Sequence, residues 1–449
     1  MNAVKDEAAL PPGPRGLPVI GNALQMGGSD VRRLLTLRET YGDIVHMKVG
    51  KMNAYVLFNP DHVHHVLVKN QKNYVKGMGY DGLRLMLGQG LVTSDGETWL
   101  QDRRLMGPFF TPAAVTRYNA MMVEVIQTML DRWQSFADSG QVMDMDEEMM
   151  QLTMSIIGRA MFSIDLGNEM EEVGQALREA FAFIPSRTMS GGLLPLSLPL
   201  PSHRRFQHNM QVIDAFIASR IEQGRKQGGE DILSILLKAQ DNETGYQLSD
   251  RQLRDEVATL FFAGFETTAR SLSWGWYLLS KHPAAAEKLA EEARRELKDG
   301  EPVDVSKLRY SRKVVDETLR IYPPTAMLAR QNVEEDAIGG YTIPPGSMIV
   351  LVPYFVHRYP GIWKDPETFD PERFEDGGSH PKPAYIPFAS GPRVCLGNSF
   401  ALLEMVLTFS MASARYKFTR TETDEIVEEF AGTLRPNRTL WVKVDNRIY

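Results

Sequence analysis

The sequence Phe388-Ala-Ser-Gly-Pro-Arg-Val-Cys-Leu-Gly397 contains Cys395, the single cysteine of the 449-residue chain. From Asn398 onward the sequence turns apolar and helix-forming, which places Cys395 at or just before a predicted helix N-terminus. The helix dipole and the N–H groups of a first turn favour a thiolate over a thiol, and Arg393 adds a positive charge nearby. Glycines on both sides of the sulfur allow backbone conformations with positive φ. An anionic sulfur in such a loop is suited to be an axial iron ligand.

The pattern Phe-x-x-Gly-x-Arg-x-Cys-x-Gly resembles the haem-binding loop of the cytochrome P450 family, the haem-thiolate monooxygenases. A lone buried thiol is the ordinary alternative for a single cysteine, but three further motifs of the family follow its order here. The resemblance runs from Pro11 to the C-terminus. It implies a mainly α fold with a minor β portion (α+β) and a long central helix over haem b. It also implies that Cys395 ligates the iron, with Phe388, Arg393 and Gly397 binding the cofactor.

Length and composition limit the possible domain organisation and partners. No linker, repeat or low-complexity tract divides the 449 residues, so we expect a single domain over residues 11–449 after a disordered tail of residues 1–10. A hydrophobic content of 43% and a charged content of 24% are typical of a globular protein. The net charge of −7 argues against nucleic acid as a partner. One cysteine excludes an intrachain disulfide, which fits a reducing compartment.

The first ten residues include Lys5, Asp6 and Glu7, which do not form a signal peptide or a membrane span. A proline-rich segment starting at Pro11 resembles the hinge that follows the membrane helix of microsomal relatives. We therefore expect a soluble, cytoplasmic, bacterial enzyme without stable membrane insertion. A chain trimmed of a native anchor would have the same sequence, and that alternative stays open.

The central helix is predicted from Ser249 to about Lys281. Ser249 and Gln252 form a capping box, and Pro283 marks the end of the helix. Roughly thirty residues at 1.5 Å each span about 45–50 Å, enough to cross a molecule of this size. Charged residues interrupt every apolar run, which excludes a transmembrane helix.

Within this helix lies Ala263-Gly-Phe-Glu-Thr-Thr268. A glycine and two threonines disfavour a regular helix, because hydroxyl groups bond back to carbonyls, and they predict a widened turn. A solvated Glu-Thr pair is the alternative on the residues alone. The segment resembles the family's Ala-Gly-x-Glu-Thr oxygen-activation motif, which implies that Glu266 and Thr267 are catalytic and deliver protons during oxygen activation.

Glu317 and Arg320 match the family's Glu-x-x-Arg motif. An ion pair at this spacing on a helix surface is worth little. Downstream, Pro371-Glu-Arg-Phe374 matches the family segment whose arginine joins the pair, here Arg373. The resemblance implies a buried Glu317–Arg320–Arg373 network that supports the cysteine loop.

Trp99 and Arg103 lie four residues apart and share one face of a predicted helix. The resemblance implies that this pair reaches one haem propionate and that Arg330 reaches the other, with Arg393 as a further candidate. Apolar residues flanking the oxygen-activation motif and Arg330 are candidates for the substrate pocket. They are Phe261, Phe262, Phe265, Ala326, Met327 and Leu328.

The resemblance implies a monooxygenase that uses O2 and oxidises a C–H bond, by hydroxylation or oxidative ring closure. An apolar pocket suggests a natural-product intermediate, a fatty acid or a terpenoid as substrate. Nothing after the cysteine helix resembles a flavin or iron–sulfur domain, so electrons from NAD(P)H are expected through a separate ferredoxin, flavodoxin or reductase.

Three alternative functions were weighed against this one. A peroxide-driven peroxygenase typically replaces the acid–alcohol pair with Arg-Pro, whereas Glu266 and Thr267 are present here. A haem-thiolate isomerase or dehydratase usually loses the threonine. A non-enzymatic haem-thiolate sensor or electron carrier needs neither a proton relay nor a large pocket. The sequence favours the monooxygenase.

Overall fold

A computed structural model describes residues 10–22, 30–164, 168–189, 195–241, 243–298, 300–378 and 380–447. The predicted tail, apart from Leu10, lies outside the described residues. Contacts divide the chain into two compact units. The first comprises Met1–Asp81, Thr325–Glu367 and His380–Cys395, and the second comprises Gly82–Pro324, Thr368–Ser379 and Leu396–Tyr449. The single domain expected for residues 11–449 stays a prediction.

The described residues are mainly helical, with short strands, which confirms the predicted α+β class. The α-helices are α1 (Arg33–Tyr41), α2 (Pro60–His64), α3 (Asp81–Leu87), α4 (Gly96–Met106), α5 (Pro112–Val115), α6 (Asn119–Ser139), α7 (Met145–Phe162), α8 (Asn168–Met189), α9 (Pro201–Gln227), α10 (Ile232–Lys238), α11 (Asp250–Lys281), α12 (Pro283–Glu296), α13 (Arg309–Ile321), α14 (Pro353–Val356) and α15 (Asn398–Arg415).

The strands are β1 (Ile44–Val49), β2 (Met52–Leu57), β3 (Tyr74–Val75), β4 (Val142–Asp144), β5 (Leu328–Asn332), β6 (Asp336–Ile338), β7 (Tyr341–Ile343), β8 (Met348–Leu351), β9 (Tyr416–Arg420), β10 (Glu428–Phe430), β11 (Leu434–Pro436) and β12 (Trp441–Asn446). Their shortness fits a fold in which helices bury most of the apolar surface.

The first unit is built on a five-stranded sheet with the order β1-β2-β8-β5-β3. β1 and β2 form a hairpin in which Val49 pairs with Met52, and Gly50 takes a φ of +59° that the tight turn requires. β2 and β8 are parallel, and the remaining pairs are antiparallel. Buried residues such as Tyr55, Leu57 and Ile349 pack into one apolar cluster beside this sheet. The sheet thereby positions β5, which carries Arg330.

The second unit is organised around α11. The predicted capping box is confirmed, since the Ser249 hydroxyl accepts from Gln252 N while the Gln252 side chain accepts from Ser249 N. At 32 residues the helix is about 48 Å long. It packs closely against α7, where a Cβ on Gly264 would lie 2.6 Å from Ile157 Cδ1. A larger residue at position 264 would therefore require Ile157 to move.

The widened turn predicted in α11 is wrong. The helix is α-helical from Asp250 to Lys281. The Thr267 hydroxyl does donate back to the Ala263 carbonyl, at 3.0 Å. A carbonyl oxygen has two lone pairs, so it can accept this bond without losing its place in the helix ladder. Among the residues described, no helix is both long enough and apolar enough to cross a membrane.

A buried ion network joins α13 to the 3-10 helix Pro371–Gly377 in the second unit. Glu317 and Arg320 are fully buried, and Arg320 donates two hydrogen bonds to the carboxylate, at 2.6 Å and 2.9 Å. Arg373 Nε lies 3.2 Å from the same carboxylate, which also accepts from Asp370 N at 2.9 Å. Arg320 donates in addition to Thr368 O. The side chains predicted to form a network therefore do so.

A second buried acidic site ties α4 to α11. Asp102 and Glu256 are both buried, and their carboxyl groups are close enough to act on each other electrostatically. Tyr246 donates to Asp102 at 2.7 Å, and Leu91 N donates to Glu256 at 3.1 Å. Burial raises the pKa of Asp102. Burial also raises the pKa of Glu256 well above its usual range, and the charges of Asp102 and Asp255 raise it further. The pair therefore holds a proton where exposed carboxyls would be ionised.

This pair predicts a stability that falls as pH rises. A carboxyl whose pKa is raised by folding stabilises the fold below its unfolded pKa of about 4, and this stability is lost as pH rises through the folded pKa. In Glu256→Gln the amide can donate to Asp102 without titrating. Relative to wild type, we expect this variant to gain stability as pH rises from 5 to 8, because only the wild-type carboxyl is destabilised by ionisation in the folded state. Thermal unfolding midpoints measured at both pH values check this gain.

Glu148→Gln is the matched control, because the buried Glu148 carboxylate accepts hydrogen bonds from Trp133 at 2.6 Å and from Arg132. Glu148→Gln should therefore lower the thermal unfolding midpoint at pH 8, whereas Glu256→Gln should raise it. A Glu256→Gln variant whose difference from wild type does not change with pH would contradict the shared proton.

Candidate active site

Cys395 lies in a tight loop of the first unit, just before the start of α15. Its N–H donates to the Phe388 carbonyl at 2.9 Å, which closes the loop, and its side chain is exposed. Gly391 takes a φ of +73°, and a Cβ there would lie 2.1 Å from Leu67 O, so only glycine fits. The predicted helix start at Asn398 is confirmed.

Two backbone features of this loop differ from expectation. Gly397 has a φ of −87°, so the positive φ expected on both sides of the sulfur occurs only at Gly391 among the two glycines. Ala389 instead takes a φ of +60°, which is unfavourable for a residue with a Cβ. Such strain is kept where the surroundings demand one backbone path, and it is common in ligand-binding loops.

A cluster of cations accompanies this loop in the first unit. The Arg330 side chain is buried and donates to Tyr80 OH at 3.3 Å and to Ala329 O at 2.7 Å. The Lys76 ammonium lies 4.3 Å from the centre of the Tyr80 ring. Arg393, in the cysteine loop, is close enough to Lys76 to act on it electrostatically. The cluster brings together the predicted residues Arg330 and Arg393.

The potential of this cluster is strongly positive. The pKa of Lys76 is lowered to about 8, mainly by burial. Tyr80 raises this pKa, whereas the positive charges of Arg330 and Arg393 lower it. Burial alone would raise the pKa of the Tyr80 phenol, yet the Lys76 and Arg330 charges lower it to about 8. A fully buried phenol becomes this acidic only where cations outweigh anions. The cluster is therefore suited to binding carboxylates.

In the second unit, the Glu-Thr motif of α11 exposes its two polar side chains to different extents. Ala263 and Thr267, one turn apart, are half-buried, whereas Glu266 and Thr268 are buried. The face of α11 that carries Thr267 is thus the more accessible one.

Glu266 is held by other side chains. Its Oε1 accepts from Arg270 Nε at 3.1 Å and from Thr433 Oγ1 at 3.2 Å. Arg270 also donates to Asp146 at 2.5 Å, and although burial lowers the pKa of Arg270, the two carboxylates raise it above its usual value. Glu266 Oε2 is buried without a hydrogen-bond partner among the described residues. The acid of the motif is therefore oriented by Arg270 and Thr433.

The other predicted cofactor ligands of the second unit lie on α4. Trp99 and Arg103 are both within this helix and both half-buried, so the predicted shared helix is confirmed. Their predicted role toward a propionate stays a prediction. Asp102, between them, is buried and accepts a hydrogen bond from Tyr246 at 2.7 Å.

The apolar candidates fall into two groups. In the second unit, Phe261 packs against Phe162 and Phe216, with ring centres 5.7 Å and 5.9 Å apart, and Phe262 lies 4.5 Å from Phe181. Phe261, Phe262 and Phe265 are all buried. In the first unit, Ala326 is buried and Met327 and Leu328 are half-buried. Their role as pocket residues stays a prediction.

Sequence reasoning missed four side chains at these positions. Lys76 and Tyr80 belong to the cation cluster, and Arg270 and Thr433 hold Glu266. Arg270 could have been found, because it lies four residues after Glu266 on the same helix. Lys76 and Thr433 carry no local signal, since each meets its partners only through the fold.

Comparison with known proteins identifies the family of this chain. Residues 11–444 match the family model described as Cytochrome P450. Cyclooctatin synthase of Streptomyces melanosporofaciens is 32% identical, over 90% of this chain and 89% of the relative. Cyclooctat-9-en-7-ol 5-monooxygenase of the same organism is 31% identical, over 90% and 88%. Pentalenene oxygenase of Streptomyces avermitilis is 30% identical, over 90% of both chains.

The family match spans nearly the whole chain, and it includes the cysteine loop, the buried ion network and the Glu-Thr motif of α11. The chain therefore belongs to the cytochrome P450 family and is a monooxygenase of that family.

Proposed function

We propose that this enzyme oxidises a C–H bond of a cyclic terpenoid, with Cys395 as the iron ligand and electrons supplied by a partner protein. The observation that carries the ligand assignment is the loop that presents an exposed Cys395 side chain from a closed, positive-φ backbone. The substrate class is supported by relatives named for the oxidation of cyclooctat-9-en-7-ol and pentalenene.

The residues present fit a haem. Its two propionates are carboxylates, and the buried cluster of Lys76, Tyr80, Arg330 and Arg393 has the positive potential that carboxylates require. When bound, haem supplies the activation of O2 and the oxidation of the substrate C–H bond. One propionate would be bound by the cluster of Arg330, Arg393, Lys76 and Tyr80. Trp99 and Arg103 are proposed for the remaining propionate contacts.

Cys395 would bind as a thiolate. The start of α15 just after it provides N–H groups and the positive end of a helix dipole, which lower the pKa of a nearby thiol. The hydrogen bond from Cys395 N to Phe388 O fixes the direction of the side chain. Fixing the ligand in this way means that no loop closure is needed when iron binds.

Thr267 and Glu266 would move protons on α11. The Thr267 hydroxyl is half-buried on the accessible face, so its Oγ1 would donate a proton there and take up another in its place. Glu266 is the nearest acid in sequence, but its present hydrogen bonds run to Arg270 and Thr433. A rotation of its side chain, or a bridging water, would carry the proton from Glu266 to Thr267.

Electrons from NAD(P)H would arrive through a ferredoxin, flavodoxin or reductase. An iron–sulfur cluster is held by at least two cysteines, and residues 1–449 contain one. The P450 match occupies residues 11–444. The electron donor would therefore lie outside residues 1–449.

The substrate class can be tested by binding. Cyclic terpene alcohols should shift the Soret band of the haem-loaded ferric protein from low spin to high spin, because an apolar ligand in the pocket would exclude water from it. Fatty acids with the same number of carbon atoms are the matched comparison. A shift with fatty acids and none with cyclic terpenes would contradict the proposed substrate class.

Thr267→Ala tests proton delivery. The variant should bind haem and substrate normally, because neither step needs the hydroxyl, yet oxidised product per NAD(P)H should fall sharply and hydrogen peroxide should rise. Thr268→Ala is the control, since Thr268 is rotated by about 100° around the helix and its side chain is buried. Equal product yield in Thr267→Ala and wild type, or a larger loss in Thr268→Ala, would refute the roles assigned here. The substrate must carry no hydroxyl near the iron that could replace Thr267.

A further inference from the structure

The carboxylate of Glu266 is oriented by donors from two separate elements of the second unit. Arg270 Nε reaches Oε1 from the next turn of α11, at 3.1 Å. Thr433 Oγ1 reaches the same oxygen at 3.2 Å from the turn between β10 and β11. Both bonds go to one oxygen, and the buried Oε2 has no partner among the residues described. A buried carboxylate oxygen without a donor is costly, so these two bonds decide where the group lies.

The turn that carries Thr433 is itself held in place. Leu434 O accepts from the Trp274 indole of α11 at 3.0 Å, and Leu434 N donates to Pro324 O at 2.9 Å. The turn closes on itself through Ala431 N and Thr433 O, at 3.0 Å. β11 is therefore fastened to α11 at two points, Trp274 and Glu266, so the Thr433 hydroxyl does not depend on a mobile loop for its position.

The same turn also meets the aromatic side chains near the predicted pocket. Gly432 has a φ of +91°, and a Cβ there would lie 2.4 Å from Phe181 Cζ, so the Phe181 ring lies directly on the backbone of the turn. Phe181 in turn lies 4.5 Å from Phe262 of α11. The turn that holds Glu266 is thus in contact with Phe181, which packs against the pocket candidate Phe262.

We propose that Thr433 is a positioning residue for proton delivery, which holds the Glu266 carboxylate in the orientation from which it resupplies Thr267. The assignment rests on the proposed role of Glu266 and Thr267. Thr433 touches neither the substrate nor the cofactor in this account, and it acts only through Glu266.

The charges around Glu266 explain why a neutral hydroxyl is needed there. Arg270 alone would share its donors between Glu266 and Asp146, which lies 2.5 Å away on α7 and also accepts from Ser273. One cation between two acids does not by itself fix the direction of either carboxylate. Thr433 adds a directional bond from the other side, which leaves Oε2 as the oxygen available for a proton.

A pair of substitutions separates the hydroxyl from the shape of the side chain. Thr433→Val keeps the branched shape and removes the hydroxyl, whereas Thr433→Ser keeps the hydroxyl and removes the methyl group. With one accepted substrate, Thr433→Val should lower the ratio of product to hydrogen peroxide by about tenfold, the size expected for losing a bond to a charged group. Its pH profile should also change, and Thr433→Ser should resemble wild type in both.

Thr433→Val and Thr433→Ser are then each combined with Glu266→Gln. If Thr433 acts through Glu266, Thr433→Val should add no further loss of product in that background. The drop in thermal unfolding midpoint caused by Thr433→Val should also shrink there, a readout that does not depend on turnover. Ser273→Ala is the control, because its hydroxyl bonds Asp146 and not Glu266.

The outcomes distinguish this inference from the proposed function. If Glu266→Gln and Thr267→Ala impair coupling but Thr433→Val does not, the positioning role is wrong and proton delivery stands. The positioning role is also overturned if Thr433→Ser matches Thr433→Val, or if Thr433→Val keeps its full effect in Glu266→Gln. If Glu266→Gln leaves coupling unchanged, the role of Glu266 in proton delivery fails, and the role of Thr433 with it.

Discussion

The bidentate ion pair between Glu317 and Arg320 is the interaction on which the architecture depends most. Both side chains are fully buried, so neither charge has water to compensate the loss of the other. The same carboxylate accepts from Arg373 and from the backbone N–H of Asp370. One buried acid thereby fixes α13 and the segment from which the chain continues toward Cys395. Breaking a buried pair of this kind costs about 3–5 kcal/mol, a large part of the stability of a typical domain.

Helix α11 supplies the second constraint, because it serves packing and chemistry with the same few residues. Gly264 allows close contact with α7, and Thr267 lies on the half-buried face. Glu266 points into a set of donors formed by Arg270 and by the turn after β10. The acid and the alcohol are therefore neighbours in sequence but are held by different partners. This separation makes proton delivery depend on side chains that the motif does not contain.

The sequence predicted the features that rest on local patterns. The helix start after Cys395 and the capping box of Ser249 follow from spacing along the chain, whereas the Glu317 network was implied by the resemblance to the family. The structure shows all three arrangements. The widened turn in α11 was wrong, because a back-bonded threonine can be accommodated within a regular helix. Contacts such as Asp102 with Glu256 were not predictable, since buried partners far apart in sequence leave no periodic signal.

We propose that the loop closed by the Cys395 N–H and the Phe388 carbonyl presents Cys395 as a thiolate ligand of haem iron. The most direct measurement is the absorption spectrum of the reduced protein under carbon monoxide. We predict the strongly red-shifted Soret band typical of thiolate ligation, its loss in Cys395→Ser, and little haem-loaded protein for Arg320→Ala. Lys307→Ala, which breaks an exposed pair with Asp304 at the same spacing, should retain the band. A spectrum like that of a histidine-ligated globin in the unaltered protein would contradict the account.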